Sequence, residues 1–103
     1  MELRHLRYFQ AGAREGSFTR AAEALHMAQP PLTRQIRALE GDIGTPLFVR
    51  TAKGVDLTEA GETLLEEVPN LLALAQRAEE RTLRAGQGLT GRVEVGIFTS
   101  SVL

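Results

Sequence analysis

Between positions 29 and 37 the chain places Gln29, Pro30, Pro31, Thr33, Arg34 and Arg37, a set suited to one kind of chemistry. A glutamine amide donates and accepts at once, which matches the paired groups on an adenine edge. An arginine fork matches the two acceptors of guanine. A threonine hydroxyl reaches a phosphate oxygen, and a proline ring packs on a thymine methyl. At helical spacing Leu32, Ile36, Leu39 and Ile43 form an apolar stripe. Pro30, Arg34 and Arg37 lie opposite that stripe, with Gln29 and Thr33 flanking the outer face near its start. Taken alone, two arginines are also what the solvated side of any surface helix carries. The elements around them decide between the two readings.

Leu3, Leu6, Phe9, Gln10 and Ala13 share one face, which predicts a helix from about Glu2 to Glu15 ended by Gly16. Ser17 offers an N-cap oxygen to a second, short helix with Phe18, Ala21, Ala22 and Leu25 on one side. The two alanines let another helix approach closely. His26-Met27-Ala28 is then a turn, with His26 able to take a positive φ. A third helix starts near Gln29, where Pro30 and Pro31 are tolerated because first-turn amides have no helical partner. Gly44 and Pro46 end it. Leu47–Arg50 and Val55–Leu57 flank a polar turn containing Lys53 and Gly54, the pattern of a small hairpin. Arg50 and Lys53 there are candidates for phosphates or a minor groove, although hairpin turns are commonly charged.

Thr58 caps a long helix expected to reach about Arg84, roughly 40 Å at 1.5 Å per residue. Leu64, Val68, Leu71, Ala75, Ala78, Thr82 and Ala85 recur within it at alternating spacings of four and three, a heptad seam for a second copy. Pro69 should kink it. Residues 86–91 carry three glycines and are expected to form a joint. Val93, Val95 and Ile97 then alternate as one strand, with no sheet to join. The expected organisation is a mainly α chain, a winged helix-turn-helix followed by a dimerisation helix. Its parts are 1–57, a linker helix over 58–85, a hinge over 86–91, and 92–103 as the opening of a truncated second domain.

Composition excludes other classes. The 103 residues contain no cysteine, so there is no disulfide framework, thiolate metal site or cysteine nucleophile. The longest apolar run, Leu71 to Ala75, is far too short to span a membrane, and the charged start is no signal peptide. These features point to a cytoplasmic protein. The net charge of −1 argues against a nucleic-acid partner until it is divided. Residues 1–57 hold eight basic and six acidic groups; residues 58–103 hold four basic and seven acidic. The mildly basic half is the one with the helix-turn-helix pattern.

Gly86, Gly88 and Gly91 fit G-x-G-x-x-G, but that fingerprint must follow a strand and open a helix. Here the predicted order is reversed, so no cofactor is expected. His5 and His26 lie on different elements without carboxylates at ligand spacing, so no metal is expected either. No serine sits in a nucleophile-elbow pattern, and nothing supports an enzyme. The competing reading is a protein-interaction module in which the long helix is the functional part.

Leu3–Phe9, Gly16–Leu25, Gln29–Ile36 with Leu39-Glu40, Leu47–Arg50 and Leu57–Gly61 together resemble the LysR-type transcriptional regulators, in family order and spacing over about residues 1–85. Met1–Phe9 and Ala28–Pro31 most resemble the branch that controls aromatic-compound breakdown, including the benzoate and muconate regulators. The resemblance implies a bacterial transcription factor that binds partly palindromic double-stranded DNA. It implies a homodimer paired through the linker helix, tetrameric in the full-length protein, with a small-molecule effector bound only there. Gln29, Pro30, Pro31 and Arg34 would meet bases, Thr33 a phosphate, and Lys53 the minor groove. Thr99 and Ser100 would belong to the effector pocket. Three residues depart from the pattern. Ala28 replaces a common Ser and forgoes a helix cap of about 1 kcal/mol, or a phosphate contact. Lys53 stands where Arg is commoner and lacks its fork. Pro69 is unusual.

Overall fold

The computed structural model describes the backbone of residues 1–92 and the side chains of residues 1–88. The element order is α1 (Leu3–Glu15), α2 (Phe18–Ala24), α3 (Gln29–Ile43), β1 (Phe48–Thr51), β2 (Gly54–Leu57) and α4 (Glu59–Arg92). It matches the predicted plan of a winged helix-turn-helix followed by a long helix. The chain divides into two compact units, residues Met1–Pro69 and a second that begins at Asn70.

The punctuation falls where the residue types require. α1 ends at Gly16 in the left-handed region, and α3 ends at Gly44 in the same way. Ser17 Oγ accepts from the Arg20 backbone N–H at 3.2 Å and starts α2. His26 carries a φ of 57°, which lets the chain turn from α2 into α3. Thr58 caps α4: its Oγ1 accepts from Gly61 N–H at 3.0 Å and donates to the Pro46 carbonyl at 2.8 Å.

The core sits where α1, α2 and α3 meet. Ala11, Ala21, Ala22, Leu32 and Ile36 are buried together, with Tyr8, Phe18, Leu25, Met27 and Phe48 packed against them. Ala21 and Ala22 supply the close approach expected of them. Phe48 joins the hairpin to this core: its ring lies 5.0 Å from Phe18, edge to face, and 5.3 Å from Phe9. Such pairs add about 0.5–1.5 kcal/mol beyond burial. The hairpin pairs Phe48 with Leu57 and Thr51 with Gly54, leaving Ala52 and Lys53 as its turn. Gly54 has a φ of 143°, and a Cβ there would strike the Gly16 carbonyl. The Val55 N–H donates to that same carbonyl at 3.0 Å, fastening the second strand to the end of α1.

The structure corrects the apolar faces at their ends. Leu3 and Ile43 belong to their stripes by spacing, yet each is 43% exposed. Helical periodicity continues to the last turn whether or not a neighbour reaches that far. The joint expected over residues 86–91 is helical instead, because α4 continues through it to Arg92. Glycine weakens a helix by about 1 kcal/mol relative to alanine but keeps its N–H, so it need not end one. α4 is likewise continuous through Pro69. The predicted strand from residue 93 onward lies outside the described residues.

Candidate nucleic-acid interface

Docking through Leu32, Ile36 and Leu39, each no more than 1% exposed, fixes which side of α3 turns outward. Pro30, Arg34 and Arg37 are exposed on it, while Gln29, Pro31 and Thr33 are half-buried. Gln29 Nε2 donates to Thr33 Oγ1 one turn along. That bond orients the amide and leaves the Gln29 carbonyl oxygen and the Thr33 hydroxyl hydrogen for another partner. Ala28 is the N-cap residue and makes no side-chain cap bond.

Arg50 and Lys53 are exposed on the hairpin, Lys53 in the turn at its tip. Arg50 stands opposite Val55, so it points to the side of the hairpin that faces α3. A shallow cleft there has Phe18, Ile36, Phe48 and Val55 in its wall, together with Arg37, Arg50 and Glu40. The fold thus brings Arg37 and Arg50, thirteen positions apart in sequence, to one cleft. Among the described residues, the ion pairs join Met1 to Asp42, Arg4 to Glu2 and Arg14 to Glu15. Arg34, Arg37, Arg50 and Lys53 take part in none of these.

Two contacts that hold α3 escaped sequence reasoning. His5, 4% exposed on α1, is paired with Gln35 on α3, Nε2 to Oε1 at 2.6 Å. The carbonyl can only accept, so the imidazole donates through Nε2. Nδ1 has no hydrogen-bond partner among the described residues. The second contact is Glu40, whose Oε2 accepts from the Leu47 and Phe48 backbone N–H groups at 2.8 and 3.2 Å. Both contacts cross between elements, and periodicity carries no signal for either. Of the remaining expectations, Thr99 and Ser100 lie outside the described residues.

The seam on α4 is only partly available. Val68 is wholly buried within its own chain and has no surface left for a second copy, which removes it from the expected seam. Leu64, Leu71 and Ala75 are half-buried, and Ala78 and Thr82 are exposed. Leu74 and Leu83, off the predicted stripe, are 56% and 61% exposed. Among the described residues there is no cluster of potential metal ligands and no helix long and apolar enough to cross a membrane.

A docked helix with an exposed basic face, standing second in a tight helix-turn-helix and followed by a two-stranded wing, defines a winged helix-turn-helix protein of the DNA-binding class. Residues 3–62 match the family of bacterial regulatory helix-turn-helix proteins described as lysR, and the chain belongs to that family. It is 53% identical over 97% of its length to the HTH-type transcriptional regulator BudR of Klebsiella aerogenes, covering 70% of that protein. It is 50% identical to TfdT of Cupriavidus pinatubonensis and 48% identical to ClcR of Pseudomonas putida. The chain spans 45% and 35% of those two relatives. Among solved structures, the DNA complex of the CbnR DNA-binding domain superposes with a TM-score of 0.79 at 45% identity, covering 84% of this chain and 99% of that one. The BenM DNA-binding domain bound to catB site 1 DNA gives 0.77 at 43% identity, covering 85% and 95%. These likenesses place the chain in the benzoate and muconate regulator branch.

Proposed function

We propose that the chain reads double-stranded DNA as a homodimer, with α3 in the major groove and the hairpin wing beside it. The observation that carries this reading is the outer face of α3, where Arg34 and Arg37 stand exposed on a helix whose opposite side is buried. In this assignment Gln29, Pro30, Pro31 and Arg34 meet base edges, and Thr33 holds a phosphate. Arg37 and Arg50 approach the backbone from their shared cleft, and Lys53 reaches the adjacent minor groove. The BenM and CbnR domains, similar over most of this chain, have been solved on DNA.

Residues 1–57 form the reading unit in this proposal, and α4 pairs it with a second copy through Leu64, Leu71, Ala75, Ala78 and Thr82. Two copies supply two half-sites, as a partly palindromic promoter requires. Small-molecule sensing, tetramer assembly and the effector pocket would belong to the full-length protein in the cytoplasm. No reaction is assigned to this chain.

The test is an anisotropy titration on a duplex that the chain itself selects from a randomised pool. Arg34→Ala should weaken binding by about 1–3 kcal/mol and relax base choice at one position in each half-site. Equal affinity and unchanged base choice would overturn the assignment of α3.

A further inference from the structure

Two DNA-facing elements are useful together only if the angle between them is set. α3 and the wing are joined by residues 44–47, and Gly44 in that link has a φ of 93° and open space around it. Glu40 reaches across this link. A single oxygen, Oε2, accepts from both Leu47 and Phe48 at the root of the wing. Hydrogen bonds to a charged acceptor are about twice as strong as neutral ones. From that root Phe48 packs on Phe18 and Phe9, and the Leu47 carbonyl accepts from Thr58 N–H at 2.9 Å. The other end of the brace is the helix that carries Arg34 and Arg37.

We propose that Glu40 is a positioning residue for DNA recognition, which locks the wing to the recognition helix so that both engage one duplex in register. This rests on the reading that α3 and the wing both meet DNA. Charge alone predicts the opposite effect. Glu40 lines the cleft that holds Arg37 and Arg50, so removing its negative charge should tighten binding to a polyanion. The brace predicts looser binding. The geometry also separates two substitutions. Both N–H groups donate to one oxygen, so a glutamine carbonyl can hold them both, whereas alanine holds neither.

The experiment is a double-mutant cycle with Lys53→Ala, read by anisotropy on the duplex selected by the parent chain. Each variant is first shown by thermal melting to be folded at the titration temperature. Lys53→Ala should weaken the parent roughly fivefold but the Glu40→Ala background by less than about twofold, because an unbraced wing no longer presents its tip. Glu40→Ala itself should bind roughly tenfold more weakly, while Glu40→Gln stays within about twofold and keeps the full Lys53 penalty. Glu40→Met, which retains the side-chain stem, takes the place of Glu40→Ala if the latter does not fold. Equal Lys53 penalties in both backgrounds, or tighter binding by Glu40→Ala, would overturn the brace while leaving DNA binding intact. A parent chain that selects no duplex would overturn the DNA reading itself.

Discussion

Leu39 and Leu83 are the same residue on helices of mixed polarity, yet one is wholly buried and the other 61% exposed. The difference runs through the molecule. Up to Pro69, the large apolar residues at the centre of each face are buried by the chain itself: Leu6, Phe9, Leu32, Ile36, Leu39, Leu47 and Val68 are at most 1% exposed. From Asn70 onward no described side chain is fully buried, and Leu74 and Leu83 lie open. The first region completes its hydrophobic pattern internally. The second has the same pattern with nothing among the described residues to complete it. An apolar stripe in a sequence therefore says that a surface will be covered, but not by which chain.

The largest effect that tests this contrast is Phe9→Ala. Phe9 is 0% exposed and its ring meets Phe48, so truncation should destabilise the front unit by about 3–5 kcal/mol. Leu83→Ala should move the same denaturant-melting curve by less than about 0.5 kcal/mol. A comparable cost at Leu83 would erase the distinction between the two regions.

The next effect belongs to assembly. Ala78→Glu puts a carboxylate on the exposed part of the proposed seam of α4, and a second copy doubles it within one interface. Self-association measured by light scattering should weaken at least about tenfold, while helical circular dichroism and the melting of the front unit stay unchanged. An unaltered mass would mean that the stripe through Ala75, Ala78 and Thr82 is not where two copies meet.

What the sequence disclosed divides along the same line. Gly16, Ser17, His26 and Gly44 act through their own backbone or the nearest turn, as does the cap that Thr58 offers Gly61, so residue type was enough to place each one. The buried Ala21 and Ala22, and the docked stripe of Leu32, Ile36 and Leu39, follow from a period that a single helix imposes on itself. Ile43, Leu3 and Val68 needed something else. Spacing places them on faces but cannot say where a neighbouring element stops, and so two proved exposed and one buried. Glu40 and His5 were not legible as site residues, because their partners lie seven, eight and thirty positions away and are fixed by packing. Residues 86–91 read as a joint because glycine is common in joints, yet nothing in their chemistry forbids a helix.

The smallest expected effect concerns how the recognition helix begins, and it corrects a sequence expectation. An N-cap hydroxyl stabilises a helix by accepting from the N–H of the second or third helical residue. Ser17 does this for α2, with the Arg20 N–H at 3.2 Å, and Ser17→Ala should cost about 1 kcal/mol. Ala28 holds the equivalent place before α3, which suggested a forgone cap of similar size. With Ala28 as N-cap, however, Gln29 is the first helical residue and Pro30 and Pro31 are the second and third. Neither proline has an N–H. A hydroxyl introduced by Ala28→Ser has no donor to accept from, and thermal melting should shift by less than about 0.3 kcal/mol. Any benefit of that hydroxyl should appear only on DNA, as a phosphate contact whose loss or gain follows salt concentration. A stabilisation near 1 kcal/mol without DNA would mean that α3 starts elsewhere. An absence of shift would mean that this helix is held by the packing of Leu32 and Ile36 rather than by its cap, which leaves its first turn free to face a ligand.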